Sequence, residues 1–269
     1  MNIKEVKKML ETEPNQEELA ILKEDGRSGV QKLLAAYYKR MAAVQTEKIR
    51  FANMLVNEEL FYGAGCQYIA GCDEAGRGPL AGPLSVAAVI LPREVFIPGL
   101  NDSKKLSAKK REELYDVICA KALSITVNLV GPEEIDALNI YEATKRAMVN
   151  CLTNLTHVPD AILVDAMPVV LPQTKCLSLI HGDSLSASIA AASIIAKVTR
   201  DRIMVELDKE FPQYGFAGHK GYGCESHMKA IAQYGPCQWH RRSFEPIKSM
   251  NKNNILGEGV RENVLTKIK

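Results

Sequence analysis

The sequence predicts a mixed α/β domain, a sheet of up to five strands with helices on both faces, preceded by a helical appendage. Three observations carry this. Helical periodicity fills residues 1 to about 66 and stops around Gly63-Ala64-Gly65. Beyond that point short apolar runs alternate with helical stretches. One alanine-rich run, from Ser184, is too long for a strand, and its small residues suit close packing on a sheet.

Taken in order, the appendage reads as IKEVKKMLE, QEELAILKE and a long helix from about Ser28 to Phe61, set apart from the first two by EDGRSG. Strands follow at QYIAGCDE and LSVAAVIL, on either side of a Gly/Pro-rich loop. A third, LSITVNLV, comes after a charged helix beginning near Ser107, so the first three can form a meander. A helix is expected from about Pro132 to Leu155, with Glu133 and Glu134 in its first turn, where the helix dipole favours acids. It leads to AILVDA and CLSLIHGD, which fit a parallel addition to the meander. The expected division is 1–66 for the appendage, 67–248 for the α/β domain and 249–269 for a polar, loosely patterned tail.

The 46% hydrophobic and 25% charged fractions match an ordinary soluble protein. No stretch approaches the ~18 uninterrupted apolar residues of a membrane span, so no membrane partner is expected. MNIKEVKKMLETEP carries charges where a signal peptide needs an apolar core, and a cytoplasmic location is expected. Seven cysteines, an odd number without a CxxC pair, read as reduced thiols. A net charge of +2 is compatible with a polyanionic partner without demanding one.

The chemistry concentrates in carboxylates. Asp73 and Glu74 close the first strand, Asp165 closes AILVDA, and Asp183 sits at the strand-to-helix junction of HGDSLSAS. If the first and fourth strands are neighbours, these groups converge at one edge of the sheet. Adjacent strand residues point to opposite faces, so Asp73 and Glu74 share a site only where the strand ends or twists, which glycines at 71, 76 and 78 permit. Clustered carboxylates repel, and without a cation some stay protonated near neutral pH. Two divalent ions remove the conflict. All-oxygen ligands favour Mg²⁺ or Mn²⁺, and a pair roughly 3.5–4 Å apart suits in-line phosphoryl displacement. Taken singly, Asp183 also reads as a helix N-cap and Asp165 as a loop carboxylate.

CDEAGRGPLAGP, LNDSKKLS, ILVDAMP, GDSLSASIAAASIIAKVTRD and HKGYGCESH resemble the bacterial ribonuclease HII family over roughly residues 68–248. The resemblance implies an RNase H-like fold with a mixed five-stranded sheet. It also implies a two-metal endonuclease that cuts RNA in RNA/DNA hybrids and on the 5′ side of ribonucleotides embedded in DNA, leaving 3′-hydroxyl and 5′-phosphate ends. Asp73, Glu74, Asp165 and Asp183 match the catalytic, metal-binding carboxylates. Gly76, Arg77 and Gly78 match the motif that recognises the ribose 2′-hydroxyl, and Tyr222 matches the tyrosine that stacks on a sugar at the junction. Asn101 and Lys104 match a polar loop near the substrate phosphates, whereas Lys105, Lys109, Lys110 and Arg111 read as a solvated helix face. The sibling family, ribonuclease HIII, usually lacks the arginine of this GRG motif and carries a different N-terminal domain, so GRG favours HII. Ribonucleotide removal and RNA-primer degradation are the implied roles, and a monomer is the expected state.

Competing readings attach to other residues. Cys224-Glu-Ser-His227 and Cys237-Gln-Trp-His240 have the spacing of a zinc site in a nucleic-acid-binding module, although a helix at 225–234 would separate the pairs. A DEDD exonuclease would begin with Asp-x-Glu in place of adjacent Asp-Glu. In the appendage, Gln31, Leu34, Tyr37 and Tyr38 match a box that docks on sliding clamps, and are equally what an amphipathic helix buries. Lys32, Lys39, Arg40, Lys48 and Arg50 offer phosphate contacts, so the appendage is expected to raise affinity, and deletion of residues 1–66 to spare the rate at saturating substrate.

Overall fold

The computed structural model describes residues 1–250, which leaves the tail expected at 249–269 almost wholly outside the described residues. Contacts divide the chain into two compact units, Met1–Asn53 and the chain from Met54 onward. Among the described residues no helix is long and apolar enough to cross a membrane. All seven cysteines are free thiols.

In the first unit, α1 (Ile3–Glu11) and α2 (Gln16–Glu24) each open with a capping box, Asn2 with Glu5 and Asn15 with Glu18. They pack with α3 (Ser28–Met54) around Val6, Leu10, Leu22, Val30, Leu34 and Tyr37. Gln31 Nε2 donates to the carbonyls of Leu22 at 3.1 Å and Asp25 at 2.6 Å, closing the end of α2, and Arg40 does the same for Leu10 at the end of α1. Of the four clamp-box residues, Leu34 and Tyr37 are therefore buried in this unit, and the exposed Gln31 is engaged with its backbone. Tyr38 stands 39% exposed, with the Lys23 ammonium over its ring.

The helix expected to run on to Phe61 breaks at Leu55, and α4 (Val56–Gly63) follows. It belongs by contacts to the second unit, so the division falls ahead of the 66/67 boundary read from the sequence. The second unit is built on β1 (Ile69–Ala75), β2 (Leu84–Ile90), β3 (Ser124–Val130), β4 (Ala161–Asp165) and β5 (Lys175–Leu179), in the order β3-β2-β1-β4-β5. The first three strands form the antiparallel meander, and β4 and β5 extend it in parallel on the β1 side.

Between β2 and β3 lies α5 (Ala108–Lys121), capped by Ser107. The single helix expected from Pro132 to Leu155 is two, α6 (Pro132–Leu138) and α7 (Ile140–Thr153). Asn139 breaks it: its φ is 67°, and its side chain accepts the N–H groups of Tyr141 and Glu142 to open the second helix. The alanine-rich run also divides, into α8 (Gly182–Leu185) and α9 (Ala187–Glu210), because Ser186 is extended and caps α9 through Ile189 N–H. Two short helices close the unit, α10 (Phe216–His219) and α11 (Glu225–Tyr234).

The two faces of the sheet are covered differently. The apolar side of α7 packs with residues of β1, β2 and β4 in the main core, and Cys151 Sγ donates to Val86 O at 3.3 Å. On the opposite face α9 meets β1 directly. A Cβ at Gly71 would stand 2.0 Å from the Ser188 carbonyl carbon, so only glycine lets the start of α9 approach this closely. That approach brings the segment bearing Asp183 up to β1.

Candidate active site

Register assembles the acidic cluster. Cys72 pairs with Val164 in the last pair of the parallel β1–β4 ladder, so the next residues on the two strands, Asp73 and Asp165, stand side by side just beyond it. Asp73 and Glu74 do not close β1, which runs on against β2 to Ala75. Asp165 Oδ1 accepts the Gly182 N–H at 2.8 Å, which fixes the start of α8 and with it Asp183. Carboxylate oxygens of Asp73, Asp165 and Asp183 lie within 4.8 Å of one another. Among the described residues this is the one group of three or more His, Cys, Asp or Glu side chains that converges closely enough to hold a metal ion. Asp183 stands inside the first turn of α8 and makes no capping bond, so the N-cap role belongs to neighbouring residues.

Glu74 stands at the border of this trio. Its Oε1 is 3.4 Å from Arg77 Nη1, while its Oε2 is buried without a hydrogen-bond partner among the described residues. Burial drives the Asp73 carboxyl well above the usual range, and repulsion from Glu74, Asp165 and Asp183 adds to it. Burial likewise raises Glu74 against the pull of Arg77. Asp183 is raised by burial and then by Asp102, with Lys104 opposing. The cluster thus holds more negative charge than its surroundings satisfy. An orphaned buried carboxylate oxygen and an all-oxygen donor set fit a hard divalent cation.

Around the cluster the polar loop is tightly organised. Asn101 Oδ1 accepts the Asp102 N–H and Asp102 Oδ1 accepts the Lys104 N–H, forming a 3₁₀ turn that Ser103 ties to Ser193 of α9. Lys104 Nζ lies 3.5 Å from Asp183 Oδ2 with most of its side chain exposed. Lys105, read from the sequence as part of a solvated face, is exposed and also donates to Ser184 Oγ at 2.9 Å. The Gly76-Arg77-Gly78 loop and the Tyr222 loop meet beside the site. Leu80 and Ala81 donate their N–H groups to Gly221 O, and a Cβ at Gly78 would stand 3.9 Å from the Tyr222 ring. Tyr222 is 48% exposed.

The zinc reading does not assemble. His227 Nε2 and His240 Nε2 face each other at 3.1 Å, and Cys224 turns to Ser226. Cys237 N–H donates to His240 Nδ1 at 3.0 Å, so His240 carries its proton on Nε2 and donates it to His227. His227 then donates from Nδ1 to the Tyr222 carbonyl at 2.9 Å. Both rings are buried and neutral; desolvation holds His240 down to about 4 and lowers His227 as well. The pair acts as a strut behind the Tyr222 loop.

Sequence reasoning passed over several residues. Glu58 in α4 is 1% exposed and accepts from Ser186 Oγ and Ser188 N–H, while Asn57 Nδ2 donates to Leu185 O. In a helical run an acid reads as solvated, and only the fold reveals this one as a cap. Arg200 and Arg241 are fully buried behind the Gly76 loop. Arg200 carried no signal of its own, because it lies among Lys197, Asp201 and Arg202 in the charged half of α9.

A five-stranded mixed sheet in this order, with carboxylates side by side where its parallel β1–β4 pairing stops, defines a hydrolase of the ribonuclease H class. The family model described as Ribonuclease HII matches residues 70–247, and that described as Ribonuclease HII N-terminal domain matches residues 2–62. The chain belongs to the ribonuclease HII family. It is 51% identical over 257 residues to Ribonuclease HII of Bacillus cytotoxicus, covering 94% of this chain and 98% of that one. Among solved structures it resembles ribonuclease H2 from Pyrococcus horikoshii OT3, with a TM-score of 0.60 and 28% identity, over 69% of this chain and 98% of that one. It also resembles the PCNA:RNase HII complex from Archaeoglobus fulgidus, with a TM-score of 0.54 and 28% identity, over 75% of this chain and all of the matched chain. The likeness to the HII family expected from the GRG motif is borne out.

Proposed function

We propose that this ribonuclease H cleaves the RNA strand of RNA/DNA hybrids, and cuts duplex DNA on the 5′ side of embedded ribonucleotides, leaving 3′-hydroxyl and 5′-phosphate ends. The observation that carries the reading is the convergence of Asp73, Asp165 and Asp183 next to a loop pair that presents Arg77, Gly78 and Tyr222. Asp73, Glu74, Asp165 and Asp183 would hold two Mg²⁺ or Mn²⁺ ions, which supply an activated water and stabilise charge on the attacking and leaving oxygens.

The protein's own groups do the rest. Glycine at 78 leaves room for a sugar to approach the backbone, and Arg77 offers a forked donor to a phosphate. Tyr222 presents an exposed ring face for stacking on the neighbouring sugar. Lys104, already beside Asp183, and the polar Asn101 turn meet the backbone phosphates and fix register. The paired buried histidines are bonded to each other and to backbone, and neither is available as a general acid or base.

This assigns residues 67–248 as the catalytic part and the cytoplasm as the setting, in ribonucleotide repair and primer removal. The Archaeoglobus fulgidus relative was solved with PCNA, and a sliding clamp is a partner of the same kind for this chain. Of the four box residues, Tyr38 is the one whose ring is open to it.

The test is a labelled DNA duplex containing one ribonucleotide, incubated with and without Mg²⁺ or Mn²⁺ alongside Asp73→Asn. Metal-dependent cutting 5′ of the ribonucleotide, lost in the variant, is expected. No cutting with either metal, or a 2′,3′-cyclic phosphate product, would overturn the reading.

A further inference from the structure

Two arginines, Arg200 and Arg241, are buried to 1% and 0% exposure, and neither has a carboxylate partner among the described residues. A buried guanidinium without a carboxylate is costly, and Arg200 Nη1 has no partner among the described residues, so the acceptors that the remaining donors find are informative. Here they are backbone carbonyls of one loop. Arg241 Nη2 donates to Gly76 O at 2.5 Å and Gly82 O at 3.0 Å, and its Nη1 donates to Arg77 O at 2.8 Å. Arg200 donates from Nε to Pro83 O at 2.9 Å and from Nη2 to Ala81 O at 3.1 Å. The loop closes over them: at Gly76, where φ is 93°, a Cβ would stand 2.1 Å from Arg200 Nε.

The orientation of the peptide groups follows. In a planar trans peptide the C=O and N–H point in opposite directions. With the carbonyls of Gly76 and Arg77 turned inward to Arg241, the N–H groups of Arg77 and Gly78 are turned away from it. Both residues are exposed, and neither N–H has a partner among the described residues. A pair of successive outward N–H groups is a preformed donor site for an oxygen-rich ligand.

We infer that Arg241 is a positioning residue for ribonucleotide recognition: it holds the Gly76–Arg77 and Arg77–Gly78 peptides so that two backbone N–H groups face the sugar, with Arg200 fixing the far side of the loop. This rests on the reading that the Gly76-Arg77-Gly78 loop recognises the ribose. A neutral or shorter side chain at 241 frees these peptides to rotate. Discrimination between ribose and deoxyribose is then lost, while contacts to phosphate persist.

The experiment measures binding in an Asp73→Asn background, which prevents cutting. Full-length protein is titrated with a duplex containing one ribonucleotide and with the all-DNA duplex of the same sequence, with and without Arg241→Gln. The expected result is a roughly tenfold fall in the preference for the ribonucleotide duplex, with all-DNA affinity changed by less than about twofold. Should Arg241→Gln fail to fold by circular dichroism, Arg241→Lys, which keeps the charge but lacks the planar fork, carries the same test and should show a smaller loss of preference. A folded variant that keeps the parent's preference overturns the inference, as does an equal loss of affinity for both duplexes. A parent with no preference for the ribonucleotide duplex instead overturns the underlying reading of the loop.

Discussion

Glu58 and Ser186 are joined by a 2.6 Å hydrogen bond from the serine hydroxyl to Oε1, and the same oxygen accepts the Ser188 N–H at 2.9 Å. Glu58 lies in α4, inside the second compact unit although the N-terminal family model reaches residue 62, and it gives a buried cap to the helix that follows Asp183. This changes the consequence of truncation. Removing residues 1–53 should leave the rate at saturating substrate within about twofold, whereas removing 1–66 or making Glu58→Ala should lower it and destabilise the fold by about 2 kcal/mol. Steady-state kinetics and urea titration of the three proteins check this; equal rates for the two truncations would refute it.

How much of this was legible in the sequence depends on range. The five strands, the meander and the carboxylates beside them follow from apolar runs and their punctuation, which are local properties. The breaks at Asn139 and Ser186 were not readable, because both residues sit inside patterns that stay helical on either side and only their backbone geometry reveals the interruption. Glu58, Arg200 and Arg241 were missed because a charge is buried for reasons that lie elsewhere in the chain, in carbonyls and hydroxyls distant in sequence. The clamp-box residues Gln31, Leu34 and Tyr37 show the converse, a motif whose side chains the fold uses internally.

Asp73→Asn should abolish hydrolysis by about 10³-fold or more while making the metal-free protein more stable. The aspartate is buried and repelled by Glu74, Asp165 and Asp183, and the amide relieves both costs. Thermal melts in chelator, compared with the parent, test the second half. A variant that melts lower than the parent would contradict the electrostatic account.

The pH dependence of metal binding has a definite sign. Asp73, Glu74 and Asp183 all have folded-state values above the ordinary carboxyl range. Such groups favour folding below their unfolded values, and that contribution is lost as pH rises through the raised ones. Divalent ions bind the ionised form and reverse the loss, so the rise in melting temperature on adding Mn²⁺ should be larger near about pH 8 than near about pH 5.5. An ion-induced shift independent of pH would argue against this cluster as the binding site.

The His227–His240 pair titrates in the opposite sense. With His240 held down to about 4, its contribution to stability is complete above the unfolded value near 6.5 and is lost as pH falls through about 4. His219 stacks on His227, so a proton on either ring of the pair also meets a neighbouring imidazole. Replacing His240 with Gln should flatten the stability profile between about pH 6.5 and pH 4, on the order of 2 kcal/mol across that window. Unfolding curves of both proteins at several pH values give the comparison; parallel profiles would exclude the pair as an acid-labile point.

The β1–β4 register has a kinetic consequence. Asp73 and Asp165 become neighbours only when two strands far apart in sequence have paired, and Asp183 joins them only once Gly182 has reached Asp165. Long-range strand pairing is among the slower events in forming such a sheet. A transition state in which β4 has not yet docked contains no ion site, so a bound cation stabilises the finished structure and leaves the barrier to reaching it unchanged. Divalent ions should therefore slow spontaneous unfolding and lengthen the lifetime of the assembled chain, with no gain in the speed at which it refolds.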